Sequence, residues 1–203
     1  ADPDTNARLR AVLQNCKAAN MPKDNIERAI KKATDKDTSD YKEVTFEGYG
    51  PHGIAVYVET ATDNNNRTVA NVRSHFNRGG GQLGTTGSVE FMFNRMCFFN
   101  IQDTGVDLDD LTLELIDVGA EEVERDEEAN QIIVSAPFES FGSLQSKLEE
   151  DGYEIVESGL ERVPTTTTAL SAAQVEEVEG LIERREGDDD VQAVFHTMEP
   201  ALS

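Results

Sequence analysis

The run Asp63-Asn64-Asn65-Asn66-Arg67-Thr68-Val69-Ala70-Asn71-Val72-Arg73-Ser74-His75-Phe76-Asn77-Arg78-Gly79-Gly80-Gly81-Gln82-Leu83-Gly84-Thr85-Thr86-Gly87-Ser88 decides how the rest of the chain is read. It divides into a polar loop, a short basic helix and a glycine-rich loop. On a period of about 3.6 residues, Val69, Val72 and Phe76 fall on one side of the helix, and Arg67, Asn71, Ser74 and Arg78 fall in a narrow wedge opposite. One side packs, while the other offers guanidinium and amide donors either to a ligand or to water. Asn64 to Asn66 tolerate turn and left-handed backbone. Gly79, Gly80 and Gly81, with Gly84 and Gly87 beyond them, let main-chain N–H groups approach a ligand closely.

Upstream, the pattern has a period of two. Val44 and Phe46 alternate with charged neighbours, Gly50-Pro51-His52-Gly53 makes a turn, and Ile54-Ala55-Val56-Tyr57-Val58 is a strand. Further back lies a helical hairpin. Asp4 or Thr5 caps a first helix running to about Asn20, with Leu9, Val12, Leu13 and Cys16 as its buried stripe. Pro22 opens a second helix, on which Ile26, Ala29, Ile30 and Ala33 repeat at helical spacing. Asp24–Arg28 and Glu27–Lys31 are acid-to-base pairs there, each contributing roughly 0.2–0.5 kcal/mol. Lys17, Lys23 and Lys32 are the remaining cations of the hairpin. The polar stretch Thr34 to Asp40 reads as a linker.

Downstream, Val89 to Phe93 and Met96 to Ile101 read as strands. A helix (Leu108, Leu111, Leu115, Val118), strands near Glu122-Val123 and at Gln131 to Ser135, a second helix (Phe141, Leu144, Leu148) and a strand from Tyr153 to about Val163 follow. From residue 96 the order is β-α-β-β-α-β, that of a ferredoxin-like unit with both helices on one face of an antiparallel sheet. After Pro164, Ser171 with Gln174 forms a capping box for a last helix through Val175, Val178, Leu181 and Ile182, and Val191 to His196 is a final strand. Having no other sheet, this helix and strand return to the sheet of residues 41–93. The expected fold class is therefore α+β in three domains. These are a helical domain (1–38), a discontinuous α/β domain (39–95 with 164–203) and a ferredoxin-like insert (96–163).

The 203 residues, 37% of them hydrophobic, suffice for a buried core. No apolar run approaches the ~20 residues of a membrane span, and the chain reads as soluble and cytoplasmic. It opens Ala-Asp-Pro-Asp at a helix start without an initiator Met, so a further N-terminal segment is expected. Charge is uneven: residues 1–97 carry 13 Lys or Arg against 12 Asp or Glu, and residues 98–203 carry 5 against 28. The second half is repelled by phosphate; it is either a solvated surface or a docking surface for a basic protein. Cys16 and Cys97 lack metal or disulfide spacing and read as free thiols.

Catalytic and cofactor motifs fail one by one. Gly79 to Gly84 matches G-x-G-x-x-G, but it follows a helix and precedes a strand, the reverse of a dinucleotide site, and Thr85 stands where a P-loop needs Lys. His52, His75 and His196 sit on a turn, a helix and a terminal strand, and Asp188-Asp189-Asp190 lacks calcium-loop spacing. The reading is of a binding protein with no metal, cofactor, membrane or small-molecule substrate.

Four runs carry a resemblance: Asn20-Met21-Pro22-Lys23-Asp24-Asn25-Ile26-Glu27-Arg28-Ala29-Ile30, Phe46-Glu47-Gly48-Tyr49-Gly50-Pro51-His52-Gly53, Asp63-Asn64-Asn65-Asn66-Arg67-Thr68, and Gly80-Gly81-Gln82-Leu83-Gly84-Thr85-Thr86-Gly87-Ser88-Val89. With them the sequence resembles the YebC family of bacterial regulatory proteins and a mitochondrial translational activator. The resemblance implies the three-domain fold, no catalytic residues, and a Lys- and Arg-rich N-terminal segment that this sequence does not contain. It also implies a non-enzymatic regulator of gene expression acting through nucleic acid. The expected setting is the ribosome, through ribosomal RNA and basic ribosomal proteins. Sequence-specific binding of promoter DNA is the alternative, and a protein-interaction module using the acidic half is a second. The candidate contacts are Arg67, Asn71, Ser74, Arg78, Lys17, Lys23, Arg28, Lys31 and Lys32, with the backbone of the glycine loop. Aromatic stacking platforms are not expected, since Trp is absent and most Phe occupy core-like positions.

Overall fold

Two four-stranded antiparallel sheets and six α-helices make up the described residues, 2–34 and 40–200, of the computed structural model, a mixed α+β protein. They fall into two compact units, one within Ala1–Asp35 and Arg95–Glu161, the other within Lys36–Asn94 and Arg162–Ser203. The expected linker of residues 34–40 lies largely outside the described residues.

In the second unit, β1 (Lys42–Tyr49) and β2 (Ala55–Thr62) form a hairpin with Phe46 opposite Val58 and Gly48 opposite Val56. The turn between them places His52 and Gly53 in the left-handed region, at φ of 60° and 76°. The short β3 (Gln82–Leu83) lies beside β1, and β8 (Val191–His196) pairs antiparallel with β2, Val194 opposite Val58, giving the order β3-β1-β2-β8. Helices α3 (Asn65–Arg78) and α6 (Ala172–Glu186) pack Val72, Phe76 and Val178 onto Phe46, Ile54, Val56 and Val58. Ala55 and Tyr57 belong to a separate cluster with Val89 and Phe93. Buried on both faces, β2 reads as a continuous apolar run rather than an alternating one.

The other unit follows the order β4 (Phe93–Gln102), α4 (Leu108–Ile116), β5 (Glu122–Asp126), β6 (Gln131–Pro137), α5 (Phe141–Glu150), β7 (Ile155–Pro164), with sheet order β5-β6-β4-β7. Cys97, Phe99 and Ile101 of β4 point to one face with Ile132, Val134 and Ala136 of β6, beneath Leu111, Leu115, Leu144 and Leu148. The Phe99 and Phe141 rings stack at 5.2 Å. Burial pushes the Cys97 thiol up to about 11, and Cys16 and Cys97 are both free.

The hairpin of α1 (Ala7–Ala18) and α2 (Lys23–Thr34) belongs to this unit, and its first helix departs from expectation. Its N-cap is Asn6, whose side chain accepts from Leu9 N at 3.0 Å, rather than Asp4 or Thr5. Ala11, with Ala7 beside it, enters the core, and Val12 is 55% exposed. The small Ala7–Ala11 face allows close approach. Arg10 and Gln14 then bind Glu149, each at 2.9 Å, while Asn15 exchanges hydrogen bonds with the Ser158 backbone. On α2, Lys23 pairs with Glu27 at 3.5 Å.

A second departure is at residues 89–93. Glu90–Met92 form a 3-10 turn and the strand begins at Phe93. The cause is the Glu47 carboxylate, which accepts from the N–H groups of Val89 at 3.0 Å and Glu90 at 2.6 Å, donors a strand would give to its neighbour.

Candidate nucleic-acid interface

Helix α3 starts where the chain leaves β2. The Asn64 side chain caps it, accepting from Arg67 N at 3.1 Å, and the Thr62 hydroxyl accepts from Asn64 N at 2.9 Å. Val72 and Phe76 are fully buried, which turns Arg67, Asn71, Ser74 and Arg78 outward as their spacing predicts. Beneath the helix, Arg185 of α6 is wholly buried with its guanidinium 3.5 Å over the Phe76 ring, and burial pulls it down to about 9.

The outward donors are not equally available. Arg67 Nη2 donates to Asp190 Oδ1 at 2.8 Å and to Asp63 Oδ1 at 2.9 Å, and its Nε donates to Asp190 Oδ2 at 3.2 Å. Asp190 also accepts from the Thr68 hydroxyl at 2.9 Å. The hydrogen bond from Arg67 holds the Asp190 carboxyl below the usual carboxylate range, and the same bond raises Arg67. Arg67 and Asn71 line a cleft of about 640 Å³ together with His75, Arg184 and the run Gly187 to Asp190. Four aspartates, 63, 188, 189 and 190, face two arginines there. His75 Nε2 lies 3.2 Å from Asp188 Oδ2. The excess of carboxylates makes this cleft a poor host for phosphate. Ser74 and Arg78 stand outside its lining; Arg78 is exposed, and its carbonyl accepts from Arg184 Nη1 at 3.1 Å.

The glycine loop is a packing device. A Cβ on Gly79 would come within 2.1 Å of Leu181, and one on Gly81 within 2.3 Å of the Tyr49 carbonyl. All five N–H groups singled out by the sequence donate inside the chain: Gly79, Gly80 and Gly81 to carbonyls of α3, Gly84 to the Glu47 carbonyl, and Gly87 to the Glu47 carboxylate. A ligand approaching this loop meets side chains and carbonyls instead.

The cations of the hairpin belong to the other unit. Lys17, Lys23, Arg28, Lys31 and Lys32 are all exposed, and α2 buries no residue at all. Sequence reasoning missed three residues. Glu47 and Asp190, both buried, shape the loop and close the arginine fork, yet a lone acid in a strand and an acidic turn signal neither role. Phe91, expected within a strand, is 72% exposed at the turn held by Glu47. Among the described residues no group of His, Cys, Asp and Glu could hold a metal ion, and no helix is long and apolar enough to cross a membrane.

The model of the TACO1/YebC protein N-terminal domain matches residues 1–36, and that of the TACO1/YebC second and third domain matches residues 41–198. The chain belongs to the TACO1/YebC family. Relatives in that family include a protein of Flavobacterium johnsoniae, 61% identical over 97% of this chain and 82% of its own, and one of Porphyromonas gingivalis, 55% identical over 97% and 81%. Both are named "Probable transcriptional regulatory protein". The crystal structure of a conserved hypothetical protein from Aquifex aeolicus is similar with a TM-score of 0.80 and 35% identity, covering 98% of this chain and 82% of that one.

Proposed function

We propose that this TACO1/YebC-family chain is a non-enzymatic regulator of gene expression that works in the cytoplasm by binding nucleic acid in the setting of the ribosome. The observation that carries the choice is the closed fork of Arg67. A sequence-specific duplex reader needs an element that brings side chains to base edges in the major groove. Helix α3 has its apolar face in the core, its Arg67 bound to Asp190 and Asp63, and a cleft rich in aspartate beside it. Exposed cations on α2 and an acidic remainder suit a target that offers both RNA phosphate and basic protein surface.

Lys17, Lys23, Arg28, Lys31 and Lys32 are the residues assigned to phosphate, with Arg78 and Ser74, outside the acidic cleft, as a second, weaker patch. The three-part organisation, residues 1–38, 39–95 with 164–203, and 96–163, belongs to the same proposal. Support for its discontinuous part comes from the pairing of β8 with β2. Replacing Lys23, Arg28 and Lys31 together by Ala should weaken ribosome binding and lower its log–log salt slope by roughly 0.7 for each phosphate no longer neutralised. An unchanged slope would remove α2 from the interface.

The printed names of the relatives favour a second reading, sequence-specific binding of promoter DNA. Competition decides. With ribosomes and promoter duplex offered together at ~150 mM salt, the ribosome reading requires that ribosomes draw the chain away from duplex. Retention on one duplex at least ~100-fold better than on its scrambled version, against ribosomes, would establish the DNA reading instead.

A further inference from the structure

Helix α4 has two unlike faces. Leu111 and Leu115 are buried in the core under the β4–β7 sheet, and Leu108 packs beside them. On the opposite side Leu113 is 68% exposed and Ile116 is 51% exposed, three residues apart and therefore neighbours on the helix surface. At about 100° per residue, Asp109, Asp110 and Asp117 fall on the same outward side, and all three are exposed. The aliphatic pair thus stands inside a frame of carboxylates.

Cations are scarce around the frame: Lys147 of α5 lies within electrostatic reach of Glu114 but is paired with Asp151 at 2.9 Å. Residues 103–128 contain twelve Asp or Glu and one basic residue, Arg125. That arginine is turned to local use, with Nε on Asp103 at 2.6 Å and Nη2 on the Val106 carbonyl at 2.5 Å. The last turn of α4 carries no basic residue, and Asp117 caps it, so a fixed negative charge stands at the negative end of the helix dipole. A helix end selected for stability alone would carry Lys or Arg there. The Asp117 carboxylate stands next to the exposed Ile116.

We propose that the outward face of α4 is a docking surface for a lysine- and arginine-rich segment of another protein, which sets an aliphatic or aromatic side chain on Leu113 and Ile116 while its cations meet Asp109, Asp110 and Asp117. Charge complementarity selects this occupant. Nucleic acid and anionic lipid are repelled by the same carboxylates, and a second copy of a chain with formal charge −22 is repelled as a whole. The surface rests on the proposed reading in which the acidic remainder meets basic protein, but it uses none of the residues assigned to nucleic acid, so the two tests fail separately.

The test uses the whole chain and two synthetic helical peptides of equal charge, one alternating Lys-rich and Leu positions, the other with every Leu replaced by Ser. Fluorescence anisotropy should show the Leu peptide binding at least ~10-fold tighter than the Ser peptide at ~150 mM salt, about the weight of one buried aliphatic side chain. Leu113→Ser with Ile116→Ser should abolish that preference with only a small shift of the thermal midpoint, because both side chains are more than half exposed. Asp109→Asn, Asp110→Asn and Asp117→Asn together should weaken both peptides and flatten the salt dependence. Equal binding of the two peptides to the unaltered chain, or a preference that survives the Ser pair, overturns the proposal. So does a dimer of the chain, seen by sedimentation, that the Ser pair dissolves, since the occupant would then be a second copy.

Discussion

Asp190 accepts from Nε and Nη2 of Arg67 and from the Thr68 hydroxyl, and through this one carboxylate an arginine that reads as a phosphate contact is committed to holding α3 against the end of β8. Hydrogen bonds to a charged group contribute roughly 1.5–3 kcal/mol, and removing one partner of a buried set leaves the others unsatisfied. Asp190→Ala should therefore cost about 2–3 kcal/mol, measured as a shift of the urea midpoint at pH 7. The pH dependence has a definite sign. Because the folded state depresses the Asp190 carboxyl, its stabilisation is fully present above the ordinary aspartate range, near ~3.9, and is lost as pH falls through the lower folded value. The substituted chain should lose stability less steeply than the unaltered one on acidification below about pH 4. Parallel acid limbs would show that Asp190 is not held by Arg67 in solution.

Among the elements, the glycine loop makes the sharpest demand. Gly81 lies against the Tyr49 carbonyl, a backbone atom that cannot swing aside, whereas Gly79 lies against the Leu181 side chain. Gly81→Ala should cost about 2–3 kcal/mol and shift amide signals of β1, while Gly79→Ala should be relieved in part by Leu181→Ala. Additive midpoints for that last pair would separate the two residues. Much of this layer is legible in the sequence: the unbroken Ile54–Val58 run of a strand buried on both faces, the Val69, Val72, Phe76 stripe, and the Ser171–Gln174 box, whose Ser171 N–H donates to Gln174 Oε1 at 3.0 Å. Each of these is a local signal. What escapes is set by partners far along the chain. Arg67 and Asp190 are 123 residues apart, Glu47 reaches across about 40 to turn a would-be strand into a 3-10 turn, and α1 faces its unit with Ala7 and Ala11 because Glu149 and Ser158 fix its angle. Periodicity identifies an apolar face and leaves open what will cover it, so Val12 is exposed where a core is expected.

For the whole molecule, the two units hold separate cores, one around Phe99, Leu115 and Leu144, the other around Val56, Phe76 and Val178. Leu144→Ala removes a fully buried side chain from the first and should cost about 2–5 kcal/mol. Hydrogen exchange should then quicken in β4 to β7 while the amides of β1 and β2 keep their protection; equal acceleration in both would mean that the chain opens as one cooperative body. The pairing of β8 with β2 also bears on how the chain is made. Between Thr62 and Val191 about 130 residues must be polymerised, roughly 6–26 s at ~5–20 residues per second. Through that interval the nascent β2 is an open sheet edge bearing the Ile54–Val58 run, the kind of surface that recruits chaperones or pairs with a neighbouring chain. Maturation of this unit is timed by translation itself, and a message truncated before the codon for Val191 would yield a chain that cannot close the sheet.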